Sequence, residues 1–177
     1  MRAIMLSVRP EWVEKILNGE KTVEIRKSMP KYDLPTKVFI YCTKGIIPCM
    51  YGWRNAFYPQ DPTLRPHRLN GKVVAEFTLK NVVRFDIESL MFLGKQQELM
   101  QKSCLGGMSL RKYLGNKVGY AWGIDDLKIY NKPKELHEFG VYDERYSRAR
   151  KCSMPGWFPL RRPPQSYCYI DLKDEEK

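Results

Sequence analysis

The sequence lacks the features that tie a chain to a membrane, a disulfide framework or a resident metal. No uncharged run approaches the roughly 20 residues that cross a bilayer, and charged residues interrupt the amino-terminal segment, so we expect a cytoplasmic protein without a secretory leader or membrane contact. The five cysteines form no C-x-x-C pair, which predicts reduced thiols. Cys42, Cys49 and His67 match no standard zinc spacing, and no phosphate-binding loop or dinucleotide fingerprint occurs. We therefore expect no metal and no cofactor.

Acidic residues are also scarce. The chain has 31 lysines and arginines against 20 aspartates and glutamates, a formal net charge of +11. Four of those acids lie in an acidic tail at 171–177, and the rest of the chain has 29 bases and 16 acids. Such a balance attracts polyanions through long-range steering and counterion release, so it predicts RNA or a nucleotide as partner. The alternative is a basic protein whose charge only keeps it soluble, and the sequence indicates no particular protein partner.

Hydrophobic patterning predicts one mixed α+β domain over residues 1–177. A short apolar run opens the chain as a buried strand, and an amphipathic helix follows from Pro10 to a stop at Asn18-Gly19. Further strands are predicted at 22–26, 37–41, 72–80 (with 82–85 as a continuation), 120–124, 127–130 and 166–172, and residues 86–115 are predicted as helical. Two proline-rich segments, about 45–70 and 131–164, are predicted as loop insertions. Several strands with short helices favour a closed or partly closed β-barrel.

The segment from Gly19 to Arg26 concentrates polar chemistry in a short stretch. Its strand alternates polar and apolar residues, so Val23 and Ile25 are expected to face the core while Glu24 and Arg26 share the opposite face. Lys21 and Arg26 are suited to bind a phosphate or a carbonyl oxygen, and Glu24 is suited to accept a hydrogen bond or transfer a proton. The alternative is an ion pair between Glu24 and one of the two cations that only stabilises the fold.

Gly19-x-Lys21-x-x-Glu24-x-Arg26, placed between a short helix and a strand, resembles the G-x-K-x-x-E-x-R signature of the ASCH domain family. The segments 6–10, 120–124 and 162–167 are similar to bacterial and phage members of that family. The resemblance implies a PUA-like β-barrel with a cleft beside the motif helix, suited to RNA or a modified nucleoside.

One subgroup of the family hydrolyses N4-acetylcytidine with a lysine that matches Lys21, but its threonine is replaced here by Glu24. RNA or nucleotide binding is therefore the expected function. The alternative is an amidohydrolase on a modified cytidine, or a ribonuclease, with Lys21 and Glu24 as catalytic residues.

A second candidate surface is the segment 145–162, which has six basic residues and no acidic one. Trp157 and Phe158 interrupt the cations, a composition that suits stacking on single-stranded nucleic acid. The alternative is a solvated basic loop with packed aromatic residues. Trp122 is expected in the core, with the wall of the cleft as its alternative position. The predicted nucleic-acid contacts are Ser7, Arg9, Lys21, Arg26, Arg161, Arg162, Gln165 and Ser166.

Overall fold

The computed structural model describes residues 2–31, 33–45, 69–88, 96–143 and 156–172. Within these ranges the strands are β1 (Arg2–Val8), β2 (Val23–Arg26), β3 (Thr36–Cys42), β4 (Lys72–Leu79), β5 (Val82–Phe85), β6 (Gly119–Gly123), β7 (Asp125–Glu135), β8 (Gly140–Asp143), β9 (Gly156–Pro159) and β10 (Tyr167–Asp171). The α-helices are α1 (Pro10–Leu17), α2 (Gln96–Ser103) and α3 (Gly107–Leu114), and a 3₁₀ turn covers Leu136–Glu138. No described helix is long and apolar enough to span a bilayer.

The first of two compact units comprises Met1–Val13, Val38–Glu76 and Ile129–Lys177. Its sheet has the strand order β7-β4-β3-β1-β10-β8-β9, in which β1 pairs parallel with β3 and antiparallel with β10. Six of the seven residues of β1 are buried because the strand lies in the middle of this sheet. This confirms the buried strand that the apolar run predicts.

The second unit comprises Glu14–Lys37 and Phe77–Lys128 and has a three-stranded sheet of order β2-β6-β5. Helices α2 and α3 cover one face of that sheet, where Leu110 and Leu114 form a core with Ile25, Phe85 and Ala121. The predicted helical region is confirmed over α2 and α3, with a break before Gly107. Residues 82–85, however, do not continue β4. They form β5 and pair with β6, so they belong to this smaller sheet.

The α+β class is confirmed, as a fold dominated by sheet with three described helices. Among the strands described, each sheet has two open ends, so the predicted closed barrel is not confirmed. The segment 131–164 is not a loop throughout, since it contains the end of β7 together with β8 and β9. Pro133 lies in β7, which is an edge strand of the first sheet, the position in a sheet where proline is tolerated.

Most of the predicted insertion at 45–70 lies outside the described residues, as do 144–155. The organisation of residues 1–177 as a single domain stays a prediction.

Candidate functional site

The candidate site begins at the end of α1, where the chain turns into β2. The N–H of Asn18 donates to Glu14 O at 2.9 Å and that of Gly19 to Ile16 O at 3.0 Å. Gly19 then takes a positive φ of 76°, a left-handed conformation that glycine adopts without a steric penalty. The helix stop predicted at Asn18-Gly19 is thus confirmed. The turn carries Lys21 from the helix end to the start of β2.

Lys21, Glu24 and Arg26 form a buried cluster of charges, which we call the charged triad. The ammonium Nζ of Lys21 lies 3.2 Å from Glu24 Oε2, and Arg26 Nη2 lies 2.9 Å from Glu24 Oε1. Each carboxylate oxygen therefore faces one cation. The three residues are only 2%, 7% and 7% exposed. Glu24 is therefore part of a buried ion pair, and this holds whether its role is structural or functional.

Lys21 also binds the carboxyl end of α2. Its Nζ donates to the carbonyl of Ser103, the last residue of that helix, at 2.7 Å. Helix carbonyls at this end lack intrahelical partners and carry partial negative charge, so an ammonium group there is favourable. The N–H of Thr22 donates to Lys102 O at 2.9 Å, and the thiol of Cys104 donates to Glu20 O at 3.4 Å. These contacts hold the turn before β2 against the end of α2.

The burial of the triad corrects the expected position of its side chains. The alternating pattern of β2 predicts one core face and one polar face. In the structure Glu24, Ile25 and Arg26 are all buried, and Lys21 is among the most deeply buried large side chains. Paired charges look the same in a sequence as charges that face solvent. Periodicity therefore gives the face of the strand correctly but not its exposure.

The triad carries two positive charges and one negative charge, a formal net charge of +1. Removing charges from water costs several kcal/mol per ion, and close pairing with extra hydrogen bonds offsets that cost. The Ser103 carbonyl is such an additional partner. Sequence reasoning missed it, because a backbone acceptor 82 residues away leaves no signal in residue type or spacing.

Trp122 occupies the position opposite Glu24 on β6 and is fully buried. The expectation of a buried tryptophan is confirmed. Whether Trp122 also forms the wall of a ligand cleft stays a prediction. The ladder between β2 and β6 places this large ring beside the charged triad, on the face of the sheet that Glu24 and Arg26 share.

The other predicted contact residues belong to the first unit. Ser7 is buried, its hydroxyl donates to Pro164 O at 2.7 Å, and its N–H donates to Ser166 O at 2.9 Å. Ser7 and Ser166 are thus brought together, with the Ser7 hydroxyl hydrogen-bonded inside the protein. Arg9 is exposed and lies 3.9 Å from Glu11, a distance typical of weak surface pairs. Arg161, Arg162 and Gln165 are exposed.

The predicted basic segment 145–162 is described only from residue 156. Arg161 and Arg162 are therefore placed, while its other four cations lie outside the described residues. Trp157 packs edge-on against Tyr142 of β8, with ring centroids 5.0 Å apart. This contact fits the packed alternative for Trp157, although Tyr142 itself is largely exposed.

Metal and thiol chemistry is limited in the part of the chain that the structure describes. That part has no group of three or more histidine, cysteine, aspartate or glutamate side chains that could hold a metal ion. Cys42, Cys104 and Cys168 are free thiols, and burial raises the pKa of the Cys168 thiol. Cys49 and His67, from the zinc spacing considered above, lie outside the described residues.

The structure describes a mixed α+β protein with a charged triad after its first helix, and comparison with known families identifies the family. The model of the ASCH domain matches residues 6–137. The chain therefore belongs to the ASCH domain family, as the motif at Gly19–Arg26 led us to expect.

Solved structures of ASCH from Zymomonas mobilis have a similar fold. One is 20% identical in sequence, with a TM-score of 0.57 over 96% of this chain and 87% of that chain. A tyrosine-to-phenylalanine mutant and a serine-to-alanine mutant of that protein are each 19% identical, with TM-scores of 0.57. Both matches cover 96% of this chain, and they cover 90% and 88% of those chains. No curated protein matches the sequence.

Proposed function

We propose that this ASCH domain binds RNA or a nucleotide, with the charged triad at the centre of its binding site. The buried triad is the observation that carries the proposal. Apolar residues of similar volume are often as stabilising as a buried ion cluster, or more so, and stability alone therefore gives little reason to keep one. Charged groups held out of water are, in contrast, common at functional sites.

The charge of the site and of the chain supports an anionic or electron-rich ligand. The triad has a formal charge of +1, and the whole chain has a net charge of +11. In the proposed complex Arg26 and Lys21 contact a phosphate or a base carbonyl, and Glu24 orients Arg26 or accepts from a base amino group. The exposed Arg9, Arg161, Arg162 and Gln165, with Ser7 and Ser166, complete the proposed contacts.

The geometry of Glu24 favours binding over catalysis. A general base needs an oxygen within hydrogen-bond reach of the proton that it removes. Both oxygens of Glu24 already face cations, at 2.9 and 3.2 Å. The hydrolase alternative, in which Lys21 stabilises an oxyanion and Glu24 moves protons, requires these contacts to open.

We further propose that the chain forms one PUA-like barrel with a basic cleft and acts in the cytoplasm.

The decisive experiment separates a structural triad from a binding one. Lys21→Met, Glu24→Leu and Arg26→Met combined in one chain replace the triad by apolar residues. We expect this chain to stay folded, with a loss of at most about 1–3 kcal/mol because the Ser103 carbonyl loses its partner. Fluorescence anisotropy with a labelled single-stranded RNA then measures affinity. We expect the wild type to bind, with affinity that falls as salt is added, and the triple variant to lose at least about 10-fold in affinity. Urea unfolding verifies that the variant is folded.

Two further measurements complete the test. The control Lys15→Gln with Glu20→Gln removes an exposed ion pair near the triad and should bind as the wild type does. Arg26→Lys keeps the charge but loses the guanidinium fork, so it should weaken binding even if the triple variant fails to fold. Wild-type affinity in the triple variant would assign the triad a structural role only. Turnover of N4-acetylcytidine or RNA that Glu24→Gln abolishes would favour the hydrolase.

A further inference from the structure

The strand register of the smaller sheet places a second set of functional groups beside Arg26. On β6, Tyr120 lies opposite Arg26 of β2 on one side and opposite Arg84 of β5 on the other. Directly opposed residues of antiparallel strands point to the same face, with Cβ atoms about 5 Å apart. The three side chains therefore form one row across the sheet, arginine–tyrosine–arginine, which we call the Tyr120 row.

This row belongs to the face of the sheet that α3 does not cover. Ile25, Ala121 and Phe85 point to the other face, where they pack with Leu110 and Leu114 of α3. Side chains alternate between the faces along each strand, so Arg26, Tyr120 and Arg84 point away from that core. The row next to theirs on the same face is Glu24, Trp122 and Val82.

Exposure increases along the Tyr120 row from the triad outward. Arg26 is buried, Tyr120 is partly exposed and Arg84 is exposed at the edge strand β5. The acid that follows β5, Asp86, accepts the N–H of Glu88 at 2.7 Å and so is engaged in a local turn. The row thus runs from a buried arginine, past a partly exposed tyrosine, to an exposed arginine.

A nucleotide matches this sequence of groups. A base stacks on an aromatic ring, and a phosphate pairs with an arginine guanidinium. Arg26 to Arg84 spans two interstrand steps, about 10 Å, which is the scale of a single nucleotide. A peptide acid would satisfy the arginines but would leave the tyrosine ring without a stacking partner.

We infer that the Tyr120 row is a nucleotide subsite, in which Tyr120 stacks on a base and Arg84 binds the phosphate of the same or the adjoining nucleotide. This inference rests on the proposed function, because it extends the triad site along the sheet. It adds Tyr120 and Arg84, neither of which lies in the Gly19–Arg26 motif or in the basic segment 145–162. The subsite would accept a mononucleotide or a single-stranded nucleic acid, because both have a base face that is free to stack.

The test measures affinity for two probes, a labelled single-stranded oligoadenylate of about ten nucleotides and AMP. Tyr120→Leu removes the ring and should weaken oligoadenylate binding roughly 10-fold, whereas Tyr120→Phe keeps the ring and should bind nearly as the wild type does. Arg84→Ala should lower the slope of log affinity against log salt by about 0.7, the value for one phosphate contact on a single strand. Competition by AMP would assign the subsite to a single nucleotide, and its absence would assign it to a strand.

Lys112→Ala is the matched control, because Lys112 is an exposed cation on α3 of the same unit. If Tyr120→Leu and Arg84→Ala change affinity and salt slope no more than Lys112→Ala does, while the wild type still binds, the subsite is wrong and the proposed function stands. If the wild type binds neither probe, both are overturned. Circular dichroism and urea unfolding of Tyr120→Phe and Arg84→Ala show whether the sheet remains intact.

Discussion

Glu24→Gln is the sharpest perturbation of the charged triad, because it removes the one negative charge that two buried cations share. Glu24 lies 3.2 Å from Lys21 Nζ and 2.9 Å from Arg26 Nη2. Glutamine keeps the shape of the side chain but places a neutral amide between the two cations. The effect should therefore come from charge and hydrogen bonding rather than from altered packing.

The expected magnitude follows from these distances. Each contact corresponds to about 5 kcal/mol of gross attraction at an effective dielectric constant of about 20, and desolvation of the ions cancels much of that sum. Removing one partner of a buried pair typically costs about 3–5 kcal/mol, because the remaining charge stays buried. Lys21→Met instead leaves the Glu24–Arg26 pair in place and an unsatisfied Ser103 carbonyl, for a smaller loss of about 1–3 kcal/mol.

Urea unfolding at neutral pH, followed by tryptophan fluorescence, measures both losses. Glu20→Gln is the control, since it breaks the Lys15–Glu20 contact of 3.1 Å between side chains that are 39% and 54% exposed. That variant should change the free energy of unfolding by at most about 1 kcal/mol. If Glu24→Gln costs no more than this control, or less than Lys21→Met, the triad does not depend on a shared carboxylate and the reasoning is refuted.

Three further predictions concern the helix stop, pH and salt. Gly19→Ala should lower the free energy of unfolding by about 1 kcal/mol, because alanine is strained at a φ of 76° although its Cβ would meet nothing within 4 Å; Gly19→Asn, measured in the same urea series, should cost less. Burial and a hydrogen bond to Glu76 raise the pKa of Tyr130, so the folded state keeps this proton above pH 10, where an unfolded tyrosine loses it, and stability should fall there by less than about 1.4 kcal/mol per pH unit. Tyr130→Phe should show a shallower loss in urea unfolding at about pH 9 and pH 11, and an equal loss would contradict the assignment. Arg161→Glu should weaken RNA binding and flatten its salt dependence by anisotropy titration, and an unchanged slope would exclude Arg161 from the interface.

Local patterns in the sequence predicted the family and the secondary structure around the candidate site. The left-handed glycine after α1 and the buried run of β1 both depend on residues close together in the chain. The motif at Gly19–Arg26 is likewise a local feature of the chain. Backbone preferences and short hydrophobic patterns determine such features, so they can be predicted from the sequence alone.

Long-range pairing was not predictable in this way. Residues 82–85 continue the pattern of β4 but pair with β6, and Pro133 lies within β7, an edge strand. Neither the pairing partner of β5 nor the edge position of β7 depends on the local residues alone. The partner of Lys21 is a backbone carbonyl at the end of α2, and every residue type supplies the same carbonyl. Tyr120 likewise comes to lie between Arg26 and Arg84 only through the strand register.

The sequence presented the ion pair and the binding site at Glu24 as alternatives, but the two are physically compatible. When no ligand is bound, a cation in a buried binding site needs a carboxylate partner, because the pairing offsets the cost of removing the cation from water. Glu24 provides that partner for both cations at once, and the end of α2 provides a second one for Lys21. In the proposed site the ion pair then offsets the cost of burying Lys21 and Arg26 beside the Tyr120 row. The free energy of unfolding of Glu24→Gln therefore tests whether the ion pair stabilises the buried cations. Only the RNA affinity of the folded triple variant tests whether the triad binds a ligand.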